Sequence, residues 1–112
     1  MERPFIRVEC DFCADGLWDE RGAAYSLDQF PLSDGLKRRI AAWQRTFDEE
    51  AVPWEEPEMP DWQGHQAEGE AIARLVKAEM PDADVVAFDR RVNEDGSLGE
   101  RVPYPGEHLL KG

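Results

Sequence analysis

Apolar and polar residues alternate at the start of the chain. Ile6, Val8, Cys10 and Phe12 are separated by Arg7, Glu9 and Asp11, the period-two pattern of a half-buried strand. Asp15-Gly16 predicts a turn. Leu17-Trp18 and residues 23–27 flank Asp19-Glu20-Arg21-Gly22, which reads as a candidate hairpin with Gly22 at positive φ.

The period changes after Ser33. At about 100° per residue, Leu36, Ile40, Trp43 and Phe47 fall within about 60° of one another, which predicts an amphipathic helix. Ser33 supplies the N-cap oxygen and Asp34 suits the positive end of the helix dipole. The helix is expected to stop near Glu50, before Pro53. A second helix is expected from Asp61, its N-cap, to Met80, where Pro81 stops it. Ile72, Leu75 and Val76 define its buried side, with His65, Gly69 and Glu79 close to the same line. Residues 84–88 are an apolar run of the length of a buried strand, continuing towards Val92. Asn93-Glu94-Asp95-Gly96 is a turn signal, and residues 97–112, with two prolines and three glycines, read as an extended tail or weak edge strand. The domain reading is therefore one compact unit over 1–92 and a tail over 93–112.

The element order is strand, candidate hairpin, helix, helix, strand. Neither helix is apolar all round, so each needs a surface to lie on. The expected fold is α+β: a two-layer sandwich whose small sheet is covered on one face by two helices.

Composition adds charge to this picture. The chain has 112 residues, 25 acids and 13 bases, for a net charge of −12. The length suits one domain. The excess is concentrated, because residues 48–61 carry seven acids, three prolines and no base. Most of this stretch is therefore expected to be a connector rather than a helix. An acidic surface argues against nucleic acid and anionic membranes as partners, since both need basic protein surfaces. No apolar run approaches the roughly 18 residues of a membrane span, and Met1-Glu2-Arg3-Pro4 does not open a signal peptide. Two cysteines cannot build a disulfide framework, so a reduced cytoplasmic setting is expected.

The residues Leu17-Trp18-Asp19, Phe30-Pro31-Leu32-Ser33, Leu36, Trp43, Phe47-Asp48, Glu68-Gly69, Ala73, Leu75 and Val85-Val86 form a sequence pattern over roughly residues 5–89. It resembles that of a group of small uncharacterised bacterial proteins, a domain of unknown function. The resemblance implies a bacterial, cytosolic, single-domain protein and transfers no catalytic residue. The Cys10/Cys13 pair is not part of that pattern.

Cys10-Asp11-Phe12-Cys13 is the motif with chemical potential, as a redox pair or as half of a zinc site. In a continuous strand, however, the two side chains point to opposite faces with Cα atoms roughly 10 Å apart, beyond the approximately 7 Å reach of a disulfide. A tetrahedral zinc site would also need both His65 and His108. Cys10 is therefore read as a small core residue, and His65 as a locally hydrogen-bonded histidine at the helix start. Neither a metal nor another cofactor is expected. P-loop, dinucleotide-binding, zinc-protease and nucleophile-elbow motifs are absent, and three serines and one threonine leave few candidate nucleophiles.

Trp54 and Trp62 border the acidic connector. They are expected to fold back over the helix pair; the alternative leaves them exposed among carboxylates, as at protein interfaces. Lys37-Arg38-Arg39 is read as a solvated helix face that neutralises the acidic loop. The resulting functional reading is a non-catalytic, acidic interaction module, in concrete form antitoxin- or immunity-like. It would bind a basic protein partner through Trp54, Glu55, Glu56, Glu58 and Trp62, with homo-oligomerisation left open. The alternative is a thiol-redox or metal-binding enzyme using Cys10 and Cys13.

Overall fold

The computed structural model describes residues 4–11, 14–19, 22–23 and 27–102. The alternating run forms strand β1 (Phe5–Val8), shorter than its pattern suggested. The chain leaves the ladder gradually: Glu9 N still donates to Gly16 O at 3.0 Å, and Cys10 stays in the core. Phe12 lies outside the described residues. On one side of β1 lies β2 (Leu17–Asp19), antiparallel, with Val8 opposite Leu17. β2 pairs in turn with β3 (Gly22–Ala23), as the candidate hairpin required. On the other side β4 (Asp84–Ala87) runs parallel to β1, placing Ile6 beside Val85 and Val8 beside Ala87.

The apolar run ending at Val92 is not one strand. It folds back at Phe88-Asp89 into β5 (Arg90–Val92), antiparallel to β4. No turn residue marks this reversal, because it opens on a bulky aromatic, Phe88, at φ 57°. That region is uncommon for any residue with a Cβ and rare for a large one. A second turn at Asn93–Gly96, with Gly96 at φ 86°, leads to β6 (Leu98–Arg101) on the sheet edge. The six strands are ordered β3-β2-β1-β4-β5-β6. Residues 103–112 lie outside the described residues.

Helix α1 spans Asp34–Glu50, and Ser33 Oγ accepts from Leu36 N at 3.3 Å. Its stripe of Leu36, Ile40, Trp43 and Phe47 is buried as the spacing predicts. Helix α2 spans Trp62–Glu79, capped by Asp61, which accepts from Gly64 N at 3.0 Å. Ile6, Val8, Val85 and Ala87 face these helices and close one core with them. The fold is thus an α+β sandwich with both helices packed against the sheet.

Two expectations fail inside it. Leu75 is 39% exposed, and the buried side of α2 consists of His65, Gly69, Ile72, Ala73, Val76 and Lys77. The Lys77 ammonium is accommodated because it donates to the carbonyls of Pro81 (3.0 Å) and Ala83 (2.7 Å) and pairs with Glu94 at 3.1 Å. Arg7 is also buried, although alternation placed it towards water. It lies beside Val86 on the second face of the sheet, and its guanidinium donates to the carbonyls of Phe88 and Val102.

Close approach between the helices depends on Gly69. A Cβ there would come within 2.6 Å of Trp43 Cζ2 and 2.9 Å of Phe88 Cζ. Polar ties complete the pair: Ser33 donates from N and Oγ to the Glu79 carboxylate at 2.6 and 2.8 Å. Arg39 makes a bidentate contact with Glu68 at 2.8 and 2.7 Å.

Candidate functional site

The connector between α1 and α2 closes on itself. Val52 N donates to Glu58 O at 2.8 Å and Glu55 N to Val52 O at 3.1 Å. The residue that turns inward is Met59, 3% exposed and part of the core. Trp54 does not fold back over the helices: it stands 83% exposed at the loop tip beside exposed Glu55 and Glu56. Met59, not Trp54, is the connector residue that enters the core. Trp62 is also exposed, at 38%, but its ring lies 5.5 Å from His65 and 5.9 Å from Phe88.

These rings belong to an aromatic cluster at the start of α2. The His65 imidazole stacks on Trp43 at 4.9 Å and 20° and lies 5.6 Å from Phe47. Trp43 Nε1 donates to His65 O at 3.0 Å. Phe88 reaches the cluster from the β4–β5 turn, edge-on to Trp43. Its backbone is fixed there by Phe88 N donating to Val8 O at 2.9 Å. Sequence separation hides this convergence, because its members come from α1, α2 and a turn of the sheet.

Between the cluster and the connector lies a cavity of about 490 Å³. Its apolar walls are Phe47, Trp62, Phe88 and Pro57, and its polar lining is Cys10, His65, Glu9, Asp11, Glu56 and Glu58. The structure therefore brings Cys10, His65, Glu56, Glu58 and Trp62 to one place, while Trp54 and Glu55 are not part of its lining. Sequence reasoning missed Glu9, Asp11, Phe47, Pro57 and Phe88 as members.

The electrostatics of the cavity oppose thiol chemistry at Cys10. Burial pushes its thiol pKa up, and the carboxylates of Asp48, Glu9 and Asp11 push it further, so the thiol stays protonated. A reactive cysteine needs the reverse. Burial also pulls the His65 imidazole below its ordinary range, holding it neutral. Among the described residues no three His, Cys, Asp or Glu side chains form a group able to hold a metal ion. Cys13 and His108 lie outside the described residues. Two members of the basic cluster of α1 pair away from the connector: Lys37 with Asp28 at 3.6 Å and Arg39 with Glu68 at 2.7 Å. No described helix is long and apolar enough to cross a membrane.

No curated protein matches the chain significantly. A family does: residues 4–91, more than three quarters of the length, match the Serratia CdiI immunity protein-like family, and the chain belongs to it.

Proposed function

We propose that this chain is a cytoplasmic immunity protein, a non-catalytic module that neutralises a basic toxin protein by binding it at the acidic connector. Family membership supports the class of function. The observation that carries the choice of surface is the connector itself. Seven carboxylates without a base lie in residues 48–61, three at the end of α1 and four in the connector, beside an indole, Trp54, that is 83% exposed. Charge of one sign speeds the encounter with an oppositely charged partner, and an aromatic anchor then slows its escape. The thiol-enzyme alternative has no comparable support, since Cys10 is held as a protonated core thiol.

The test begins with affinity capture from a lysate of the source cell at low salt. The captured protein is expected to be basic, to arrest growth when expressed alone, and to become harmless when this chain is co-expressed. Growth arrest that co-expression does not relieve would overturn the proposal.

A further inference from the structure

We propose that the cavity between the connector, the first turn of α2 and the β4–β5 turn is a socket for one cationic side chain, an arginine or lysine, of the docking partner. That the cation belongs to a toxin rests on the function proposed above; the chemistry of the socket does not.

Three features of different kinds converge on a cation. The first is aromatic: Trp62 and Phe88, with ring centroids 5.9 Å apart, wall the cavity. The face of an indole or phenyl ring attracts a cation within about 6 Å of its centroid. The second is charge. The lining carries Glu9, Asp11, Glu56 and Glu58, and no lysine or arginine among the described lining residues. A cation entering this space gains attraction from these carboxylates.

The third feature is His65. It is 6% exposed, and it lines this cavity. Its backbone is committed, with N donating to Asp61 O at 3.0 Å and O accepting from Trp43. Its imidazole has no hydrogen-bond partner among the described residues. A neutral imidazole keeps one nitrogen lone pair as an acceptor, and burial keeps this one neutral. A guanidinium or ammonium would donate an N–H to that lone pair. An imidazolium would instead repel it. A metal ion is a poorer occupant, because no three potential ligands converge.

The test needs no toxin. Isotope-labelled protein is titrated with N-acetyl-arginine amide and N-acetyl-lysine amide, and with N-acetyl-citrulline amide as the neutral isostere of arginine, while NMR follows the His65 ring and the Trp62 indole. Saturable shifts of both residues are expected with a cationic probe, and binding about ten-fold weaker with citrulline. The Glu56→Gln, Glu58→Gln double variant changes no core residue and should weaken the cationic probe several-fold. Trp62→Ala should abolish the shift at His65. Absence of a saturable shift, or citrulline binding as well as arginine, would overturn the socket. The two proposals fail separately. A toxin neutralised equally well by wild type and by both variants removes the socket from the interface and leaves the immunity function standing. Saturable arginine binding by a protein that neutralises no toxin does the reverse.

Discussion

Trp43 and His65 hold each other twice, through a 3.0 Å hydrogen bond from the indole Nε1 to the His65 carbonyl and through ring stacking at 4.9 Å. The contact joins the middle of α1 to the first turn of α2, next to the point where the connector re-enters the fold. Core stability and the shape of the cavity therefore share one pair of residues, and substitutions there should move both.

Replacing Trp43 separates the two halves of that contact. Trp43→Ala removes a ring that is 5% exposed and should cost about 3–5 kcal/mol. Trp43→Phe keeps a stacking ring but leaves the hydrogen bond unmade, adding about 1 kcal/mol to the loss of volume. Urea melts of both variants test this; a cost below that of a surface substitution for Trp43→Ala would show that the ring does not anchor the helix pair.

Gly69 gives a second test of the same packing. Alanine normally favours a helix by up to about 1 kcal/mol over glycine. Here its methyl would meet Trp43 Cζ2 at 2.6 Å and Phe88 Cζ at 2.9 Å, and the Trp43 ring is backed by His65. Overpacking should win, with a net loss of about 1–3 kcal/mol in chemical denaturation and a shifted tryptophan emission spectrum. Greater stability in Gly69→Ala would mean that the rings move aside freely.

The legible parts of the fold were those whose signal is local. The stripe of α1 and both N-caps depend on residues three or four apart, and the structure has them at Ser33, Asp61 and along Leu36, Ile40, Trp43 and Phe47. Leu75 was misplaced because the sheet, not the helix, decides which arc is buried. Relative to Ile72, the buried arc of α2 runs from 0° to about +140° at Lys77, while Leu75 falls near −60°. Arg7 and Trp54 failed for the opposite reason. Alternation points Arg7 to water and apolar character points Trp54 inward, yet burial of Arg7 depends on carbonyls more than eighty residues away. Trp54 stands exposed while Met59, five residues on, takes the buried place. The site was half legible: Glu56, Glu58 and Trp62 sit in one acidic stretch, whereas Glu9, Phe47 and Phe88 join them only through tertiary packing.

The buried imidazole makes stability depend on pH. Burial lowers the His65 pKa below its usual 6.5, so near that pH the unfolded chain binds more protons than the folded one and stability rises with pH. The contribution is complete above the unfolded value and is lost as pH falls through the folded one. Urea midpoints of the wild type should therefore drop between about pH 7 and pH 5, before most carboxylates titrate. In His65→Phe, which keeps an aromatic ring against Trp43, the profile over that window should be flat. Parallel profiles for the two proteins would show that another group carries the dependence.

Charge and anchor in the connector should be separable kinetically once the partner is in hand. Glu55, Glu56 and Glu58 lie in the seven-carboxylate stretch and act before contact, through a field that reaches the partner in solution. Salt shortens that reach, from a Debye length of about 10 Å at 0.1 M to about 3 Å at 1 M. Replacing all three by glutamine should slow association several-fold at low salt and little at high salt. Glu56 and Glu58 also line the cavity, so the triple variant should speed dissociation as well if the socket is filled, whereas Glu55→Gln alone should change the association rate only. Trp54 acts after contact. Its indole is 83% exposed and outside the cavity lining, so Trp54→Ala should leave folding intact and mainly speed dissociation, as loss of a buried interface anchor does. Stopped-flow mixing at two salt concentrations reads these effects independently. Unchanged rates for the triple glutamine and Trp54→Ala variants at low salt would move the interface away from the connector.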